Sequence, residues 1–334
     1  MAKAPRCEAS ALFFCACHLT GSALPLRWCK SRERKGRYET MWMVYALAAA
    51  VCFGVRGILY HWSSQRPIDR NLMLFGVFFS GAVVSLAAAA WTGQRWSAAS
   101  ALGAVMGTCS FVANASMLKG FAVGKASLVS VLTGLPAVVV AALAFAFWGE
   151  TLTGWQLASL GLITCGVVAL RYSNDISLKH LQGAGWGLLA TLFFALNDVT
   201  AKQTTRLEAD VLPTLFFMFA TGALWFGASW RIGLRRAASL ESAAASEAGL
   251  AAAWSRRRTF LWGMAVGLTN VFGMILIWLG FKYGVTGLVS AVVALNVLLI
   301  LVYARIFAKE TFKRLEAAGI VLALAGVLLL QLAA

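Results

Sequence analysis

GFAVGKASLVS at positions 120–130 is repeated, with substitutions, as GFKYGVTGLVS at positions 280–290. When residues 120–170 are laid on residues 280–330 with a constant offset of 160 and no gap, 16 of 51 positions are identical. Chance matches between apolar segments produce shared Leu and Val, but they do not bring several Gly residues and a Glu-Thr pair into register. The chain therefore contains an internal duplication, and its long period indicates two half-domains rather than a solenoid.

The composition is that of a membrane protein. Of the 334 residues, 60% are hydrophobic and 13% are charged, and the mean hydropathy is +0.76. Soluble domains carry roughly 25% charged residues, whereas apolar runs close to the ~20 residues that cross a bilayer recur along this chain. The composition excludes a soluble domain and predicts an all-α membrane protein.

The net charge of +16 does not by itself indicate nucleic-acid binding. The 29 Lys and Arg residues lie between apolar segments or within residues 1–40, and they form no basic helix face with base-stacking aromatic residues. Basic loops in membrane proteins more often determine orientation. We therefore expect the lipid bilayer and a small-molecule substrate as partners, and no nucleic acid.

No catalytic or metal-binding motif is recognisable. The seven Cys and three His residues include no CxxC pair and no spacing typical of metal ligands. A P-loop, an HExxH motif and a nucleophile elbow are also absent from the sequence. We expect no enzyme, no metal and no cofactor.

Residues 1–40 differ from the rest of the chain. They hold eight of the Lys and Arg residues and four of the seven Cys residues. A signal peptide with its apolar core at 11–17 is one interpretation. A disordered basic extension or an artefact of start-codon choice fits better, because the first convincing apolar span begins at Met41.

From Met41 onward the sequence predicts ten transmembrane helices, at 42–60, 72–91, 99–118, 124–147, 154–171, 184–202, 211–230, 259–281, 285–307 and 314–332. The duplication groups them into a first repeat at 41–172 and a second at 183–332, with five helices each. Because five is odd, the second repeat enters the membrane from the opposite face. Such inverted repeats belong to secondary transporters, whose substrate site lies near the midplane between the repeats.

Loop charges predict an orientation. The loops after the odd-numbered helices hold 16 Lys and Arg residues, and those after the even-numbered helices hold four. By the positive-inside rule a chain that starts at Met41 has both termini outside. Residues 1–40 would lie on the same side as the loops after the even-numbered helices, and their eight basic residues change the count to 16 against 12. The position at which translation starts therefore affects the predicted topology.

Two motif pairs give residues 41–332 a resemblance to a known family. At the junction of the fourth and fifth helices of each repeat stand Gly149-Glu150-Thr151-Leu152, then Gly166-Val167-Val168, and Lys309-Glu310-Thr311-Phe312, then Gly326-Val327-Leu328. The first helices of the repeats carry Phe53-Gly54-Val55-Arg56 and Phe194-Ala195-Leu196-Asn197. With these motifs the chain resembles the EamA-type permeases of the drug/metabolite transporter superfamily.

The resemblance implies a ten-helix permease for amino acids or other small metabolites. It also implies cytoplasmic termini, which conflicts with the loop charges. Lys202 matches a lysine often present five residues after the polar position of the sixth helix. Arg56 replaces the usual small polar residue, and Lys309 replaces the usual glycine.

Charged side chains inside the spans are the first candidates for substrate ligands. Each costs about 2.5–3.5 kcal/mol to insert and therefore usually faces a cavity or a partner. Arg56 and Asn197-Asp198 lie at corresponding depths in the first and sixth helices. We hypothesise that Arg56 and Asp198 meet near the pseudo-two-fold axis as an ion pair or a joint substrate clamp. The alternative is that both snorkel to one interface.

Asparagines in the third, eighth and ninth helices complete the candidate set, although each could instead bond a neighbouring helix. Pro136, the repeat mate of one of them, predicts a kink in the fourth helix. The predicted substrate-binding residues are Arg56, Asn114, Asn197, Asp198, Lys202, Asn270 and Asn296.

Two other groups of residues indicate structural roles. Glu150 and Glu310 are each expected to cap the N-terminus of the following helix. Four small residues recur at equivalent places in the two repeats and predict close helix packing: Gly103, Gly107, Gly263 and Gly267.

These features predict a secondary permease that moves an amino acid or organic anion across the cell membrane by alternating access. Arg56 and Lys202 favour an anionic or zwitterionic solute. Asp198 is the candidate carrier of a coupling proton, because an apolar surround favours the neutral carboxyl group. The sequence leaves open whether two copies form a homodimer. The alternative functions are a membrane ligand sensor or structural subunit without transport and, third, a membrane-embedded transferase.

Overall fold

The computed structural model describes residues 24–64, 66–123, 126–171, 183–241, 254–308 and 314–332. Within these residues ten helices are long and apolar enough to cross a membrane, which confirms the predicted fold class and span number. The helices that form these spans are Leu24–Ser64, of which Met41–Ser63 is apolar enough to cross (span 1), Arg70–Thr92 (span 2), Leu102–Val123 (span 3), Ala126–Leu132 with Pro136–Trp148 (span 4), Gly154–Arg171 (span 5), Ala184–Arg206 (span 6), Val211–Glu241 (span 7), Arg256–Tyr283 (span 8), Thr286–Val293 with Asn296–Ala308 (span 9) and Arg314–Leu332 (span 10). A 3₁₀ turn at Ala98–Ala101 precedes span 3. Residues 1–23 of the basic extension lie outside the described residues.

Helix ends follow local sequence signals. The Asp69 side chain accepts hydrogen bonds from the backbone N–H groups of Asn71 (3.0 Å) and Leu72 (3.1 Å) and so caps the start of span 2. Spans 2 and 4 end at Gly93 and Gly149, whose φ angles of 64° and 65° lie in the left-handed region that glycine adopts without steric cost. These signals allow short connections between the spans.

The packing of the spans repeats across the two halves. Spans 2 and 7, spans 4 and 9, and spans 5 and 10 are repeat mates, and the members of each pair are in contact. Span 3 packs on spans 6 and 7, just as span 8 packs on spans 1 and 2. A pseudo-two-fold axis produces this exchange of partners, and the mates that lie beside the axis touch each other. The two inverted repeats therefore form one intertwined bundle.

Glycines permit the closest helix approaches, as the sequence predicted. A Cβ atom at Gly103 would lie 2.0 Å from the carbonyl oxygen of Thr214, and one at its repeat mate Gly263 would lie 2.2 Å from that of Met73. One turn further along, a Cβ atom at Gly107 or Gly267 would lie 2.3 or 2.5 Å from the nearest backbone oxygen. Any side chain at these positions would push span 3 away from span 7, or span 8 away from span 2.

Span 4 is broken at the predicted proline. Pro136 has no N–H group, so the carbonyl of Leu132 loses its normal helical donor. The N–H of Leu135 donates to that carbonyl at 3.0 Å instead, and Oγ1 of Thr191 in span 6 lies 2.7 Å from the same oxygen. Arg171 of span 5 donates to the nearby carbonyl of Ser130 at 3.1 Å. Side chains of neighbouring spans thus add donors to the carbonyls that the break exposes.

Span 9 is broken at the equivalent place, although it has no proline there and the sequence did not predict the break. Asn296 begins the second helix, and Leu295 donates to the carbonyl of Val292, three residues back, at 3.1 Å. Both breaks are therefore a property of the repeated architecture. Pro136 accommodates the break of span 4 rather than causing it.

Candidate functional site

Two polar contacts join the repeats at equivalent points. Arg56 of span 1 donates through Nη1 to Oδ1 of Asn270 in span 8. Ser110 of span 3 donates through Oγ to Oδ1 of Asn197 in span 6 at 3.1 Å. The offset of 160 pairs Ser110 with Asn270, and the alignment of the two first helices pairs Arg56 with Asn197. The same contact is thus made twice with different side chains, near the middle of each span.

Arg56 is held inside the bundle. Its guanidinium carbon lies 4.5 Å from the ring centre of Phe53 and 5.7 Å from that of Tyr60, within the range of cation–π attraction. Its acceptor Asn270 is only 3% exposed. The side chain therefore turns toward the neighbouring span and does not snorkel to an interface.

Asp198 is held by neutral donors. Ser290 of span 9 donates to its Oδ2 at 2.7 Å, and Nδ2 of Asn197 lies 3.5 Å from its Oδ1. The predicted ion pair between Arg56 and Asp198 is wrong, because no salt bridge joins these two described residues. The polar side chain of span 1 contacts span 8, whereas the polar side chains of span 6 contact spans 3 and 9. Equal depth in the two helices therefore did not mean contact.

Ser110 and Ser290 are polar partners that sequence reasoning missed. Each is 6% exposed and supplies the hydroxyl group of one contact. Ser110 is recognisable in retrospect as the repeat mate of Asn270, and Ser290 ends the repeated Leu-Val-Ser motif at 288–290. Neither stood out by residue type, because a serine in an apolar helix commonly bonds its own backbone.

Asn114 and Asn296 lie outside these two contacts. Asn114 donates through Nδ2 to the carbonyl of Ser110, one turn back, at 2.7 Å. Asn296 is half-buried at the break of span 9, and its side chain makes no hydrogen bond to any residue that the structure describes. The backbone carbonyl oxygen of Asn296 would be 3.2 Å from a Cβ atom at Gly54. The break therefore packs on span 1 two residues before Arg56.

Lys202 and Glu150 form a clamp between the repeats. Nζ of Lys202 donates to the carbonyls of Phe281 (2.7 Å) and Gly284 (2.9 Å) at the C-terminal end of span 8. Glu150 accepts from the N–H (3.0 Å) and Oγ1 (3.1 Å) of Thr286, the first residue of span 9. Nζ and Oε1 are 3.6 Å apart, and the two side chains are only 12% and 16% exposed.

The clamp places each charge at the helix end that favours it, since a cation stabilises a C-terminus and an anion an N-terminus.

The prediction that Glu150 caps the following helix is wrong. Thr153 and Gln156 cap span 5 instead, with the Thr153 N–H 3.0 Å from Oε1 of Gln156. Glu150 caps a helix of the other repeat, and Glu310 lies outside the described residues.

Known proteins offer three comparisons with this chain. No curated protein sequence matches it. A solved chain described as "Crystal structure of protein" superposes with a TM-score of 0.67 at 14% identity, over 88% of this chain and 96% of that chain, which shows a shared fold alone. The profile of the EamA-like transporter family matches residues 40–172 and again residues 181–332, one match for each repeat. These two matches cover most of the chain, which therefore belongs to the EamA-like transporter family.

Proposed function

We propose that this chain is a secondary permease of the cell membrane, and that it moves a small zwitterionic or anionic solute by alternating access of its two repeats. Membership of a transporter family supports transport, and the ten spans support a multi-pass protein. The nature of the solute rests on the two charged side chains near the middle of spans 1 and 6.

Arg56 and Asp198 carry the proposal. Arg56 is hydrogen-bonded to the amide of Asn270, and Asp198 to the hydroxyl of Ser290, so each charge has neutral partners. A charge inside a membrane protein without a countercharge usually serves a ligand or an ion pathway. A solute with both a carboxylate and an ammonium group supplies both countercharges, the carboxylate to Arg56 and the ammonium to Asp198. This favours an amino-acid-like zwitterion over a dianion.

The other candidate residues take supporting roles in this proposal. Asn197 and Asn270 orient the two charged side chains, and Asn114 and Asn296 offer amide groups to the solute. Lys202 is engaged by Glu150 and two carbonyls, so it joins the site only when the clamp opens. Asp198 is the proposed carrier of a coupling proton, which it would exchange for the ammonium group of the solute.

The clamp is the proposed gate of one membrane face. Glu150 belongs to the first repeat, whereas Lys202 and Thr286 belong to the second. Opening the bundle at this face requires Glu150 to leave both partners. The breaks of spans 4 and 9 are the proposed hinges, because a half-helix can tilt without moving the rest of its span.

The test begins with thermal stabilisation of the purified full chain. The probes are alanine, leucine and phenylalanine, each compared with its deaminated acid and its decarboxylated amine. We expect at least one zwitterion to raise the melting temperature more than its two single-charge analogues, and Arg56→Gln and Asp198→Asn to abolish the difference. A carboxylic acid that stabilises as well as its amino acid would refute the zwitterion proposal.

Flux is measured next, as uptake of the stabilising amino acid into reconstituted vesicles with and without a proton gradient. Saturable uptake by the unmodified chain, lost in Arg56→Gln, is the expected result. Uptake that ignores the gradient would refute the coupling proton. Stabilisation without any flux would identify a ligand sensor in place of a permease.

A further inference from the structure

Three tryptophans cluster at the membrane face opposite the clamp. The ring centres of Trp62 and Trp262 are 4.8 Å apart, and that of Trp254 lies 5.9 Å from the first and 6.3 Å from the second. Nε1 of Trp262 donates to Oγ of Ser63 at 2.8 Å, and the backbone N–H of Trp254 donates to the carbonyl of Pro67 at 3.3 Å. These bonds tie the end of span 1 to the start of span 8 and fix the rings of this tryptophan cluster.

Three arginines adjoin the tryptophan cluster. The guanidinium carbon of Arg66 lies 3.6 Å from the ring centre of Trp62, and that of Arg258 lies 4.1 Å from that of Trp254. Arg257, the neighbour of Arg258, is exposed. No carboxylate of the described chain forms an ion pair with any of the three. Stacking on indole rings orients a guanidinium plane and leaves its N–H groups for a further ligand.

Two of these arginines, Arg257 and Arg258, border a cavity that continues into an apolar stripe. The cavity has a volume of about 520 Å³ and is lined by the three indole rings, Arg257 and Arg258, and by Leu261 and Ala265 of span 8. Both apolar residues are exposed, and Leu268 and Phe272 extend the same helix face, exposed by 45% and 59%. A positive, aromatic pocket thus opens directly onto a lipid-facing strip of span 8.

We propose that this cavity binds the headgroup of an anionic phospholipid, with the phosphate on Arg257 and Arg258 and one acyl chain along the stripe from Leu261 to Phe272. A free phosphate would use the arginines but not the stripe. A zwitterionic lipid would use the stripe but bring a cation of its own to the arginines. The loops of this face hold the excess of Lys and Arg, and basic segments are attracted to the leaflet that is rich in anionic lipid. The lipid site is separate from the proposed solute site and does not depend on it.

Native mass spectrometry of the delipidated full chain tests the proposal. The probes are dioleoyl phosphatidylglycerol, dioleoyl phosphatidylcholine and inorganic phosphate, with thermal unfolding as a second readout. We expect the unmodified chain to retain phosphatidylglycerol in preference to phosphatidylcholine. Arg257→Gln with Arg258→Gln should reduce phosphatidylglycerol retention on the order of tenfold or more, since each basic residue near a membrane surface contributes a few-fold.

Two further variants separate the cavity from diffuse attraction. Arg231→Gln with Arg235→Gln removes the same amount of charge from exposed positions near the C-terminal end of span 7, at the same membrane face as the cavity. This variant should retain the lipid. Ala265→Trp places a large side chain in the lining of the cavity without a change of charge. This variant should no longer retain the lipid. Equal loss in the span 7 variant, equal retention of both lipids, or equal protection by inorganic phosphate would each overturn the proposal.

Discussion

At the contact between spans 1 and 8 the bundle holds Arg56 against Asn270, whereas at the equivalent contact between spans 3 and 6 it holds Ser110 against Asn197, with Asp198 beside it. The helix-packing glycines, in contrast, occur at the same places in both repeats and meet backbone oxygens at similar distances. Packing in an inverted repeat requires both halves to be alike, because the same interface is formed twice. Recognition of an asymmetric solute requires the halves to differ, and they differ in the charges at these two contacts.

Removal of either charge should have the largest effect on function. Arg56→Gln or Asp198→Asn deletes one half of the proposed solute site, and loss of a buried charged contact costs on the order of 2–5 kcal/mol. We expect solute affinity to fall by at least about thirtyfold in either variant, measured as uptake into vesicles. Arg95→Gln, at an exposed position, is the matched control.

Charge reversal sharpens the same comparison. Arg56→Asp combined with Asp198→Arg should restore nothing, because the two side chains bond different neighbours. Recovery of uptake in this double variant would show that the residues do pair in another state of the transporter. Gel filtration of the double variant and of the unmodified chain establishes that each is folded.

A methyl group at the packing glycines should destabilise both repeats to a similar extent. Gly103→Ala and Gly263→Ala each place Cβ against a backbone oxygen that cannot rotate away, and overpacking of this kind costs about 1–3 kcal/mol. Gly161→Ala is the control, because a Cβ there meets nothing within 4 Å. Melting temperatures in detergent measure the effect. A response in only one repeat would contradict the symmetric packing.

The clamp should behave as a coupled pair. Lys202→Met or Glu150→Gln alone leaves a largely buried partner without its countercharge, whereas the double variant removes both charges. We expect a coupling free energy of about 1 kcal/mol in a double-mutant cycle of thermal unfolding. Strictly additive effects would mean that the two side chains act only as separate helix caps.

An effect as small as that of the clamp is expected at the break of span 4. Thr191→Val removes the hydroxyl donor of the Leu132 carbonyl and should cost about 1 kcal/mol. Thr200→Val on the same span removes only a bond to the carbonyl of Leu196, within its own helix, and should cost a few tenths of a kcal/mol. Equal unfolding temperatures for the two variants would show that Thr191 does not support the break.

Much of the fold followed from segments considered one at a time. Hydropathy and length belong to each segment alone, so the ten spans were predictable, and comparison of two segments along the chain revealed the duplication. Pro136 likewise predicted one break through a local property, its missing N–H group. The break at Asn296 was not predictable in this way, because no residue type there demands it.

The candidate site was predictable only in part. Arg56, Asn197 and Asn270 were recognised because polar groups within apolar helices are costly, and the structure brings each of them to one of the two equivalent contacts. Lys202 lies in the clamp, and its contact with a solute stays a prediction. The partners themselves were not predictable, as the separation of Arg56 from Asp198 demonstrates.

By itself the sequence determined how many helices cross the membrane, that five of them repeat the other five with inverted orientation, and which polar residues lie at mid-depth. These follow from residue type and position along the chain. Only the tertiary structure decided that Arg56 bonds Asn270, that Asp198 bonds Ser290 and that Glu150 reaches the opposite repeat. Such contacts depend on the rotation of each helix about its own axis. That rotation is set by the packing of all neighbouring spans together, so no single segment encodes it.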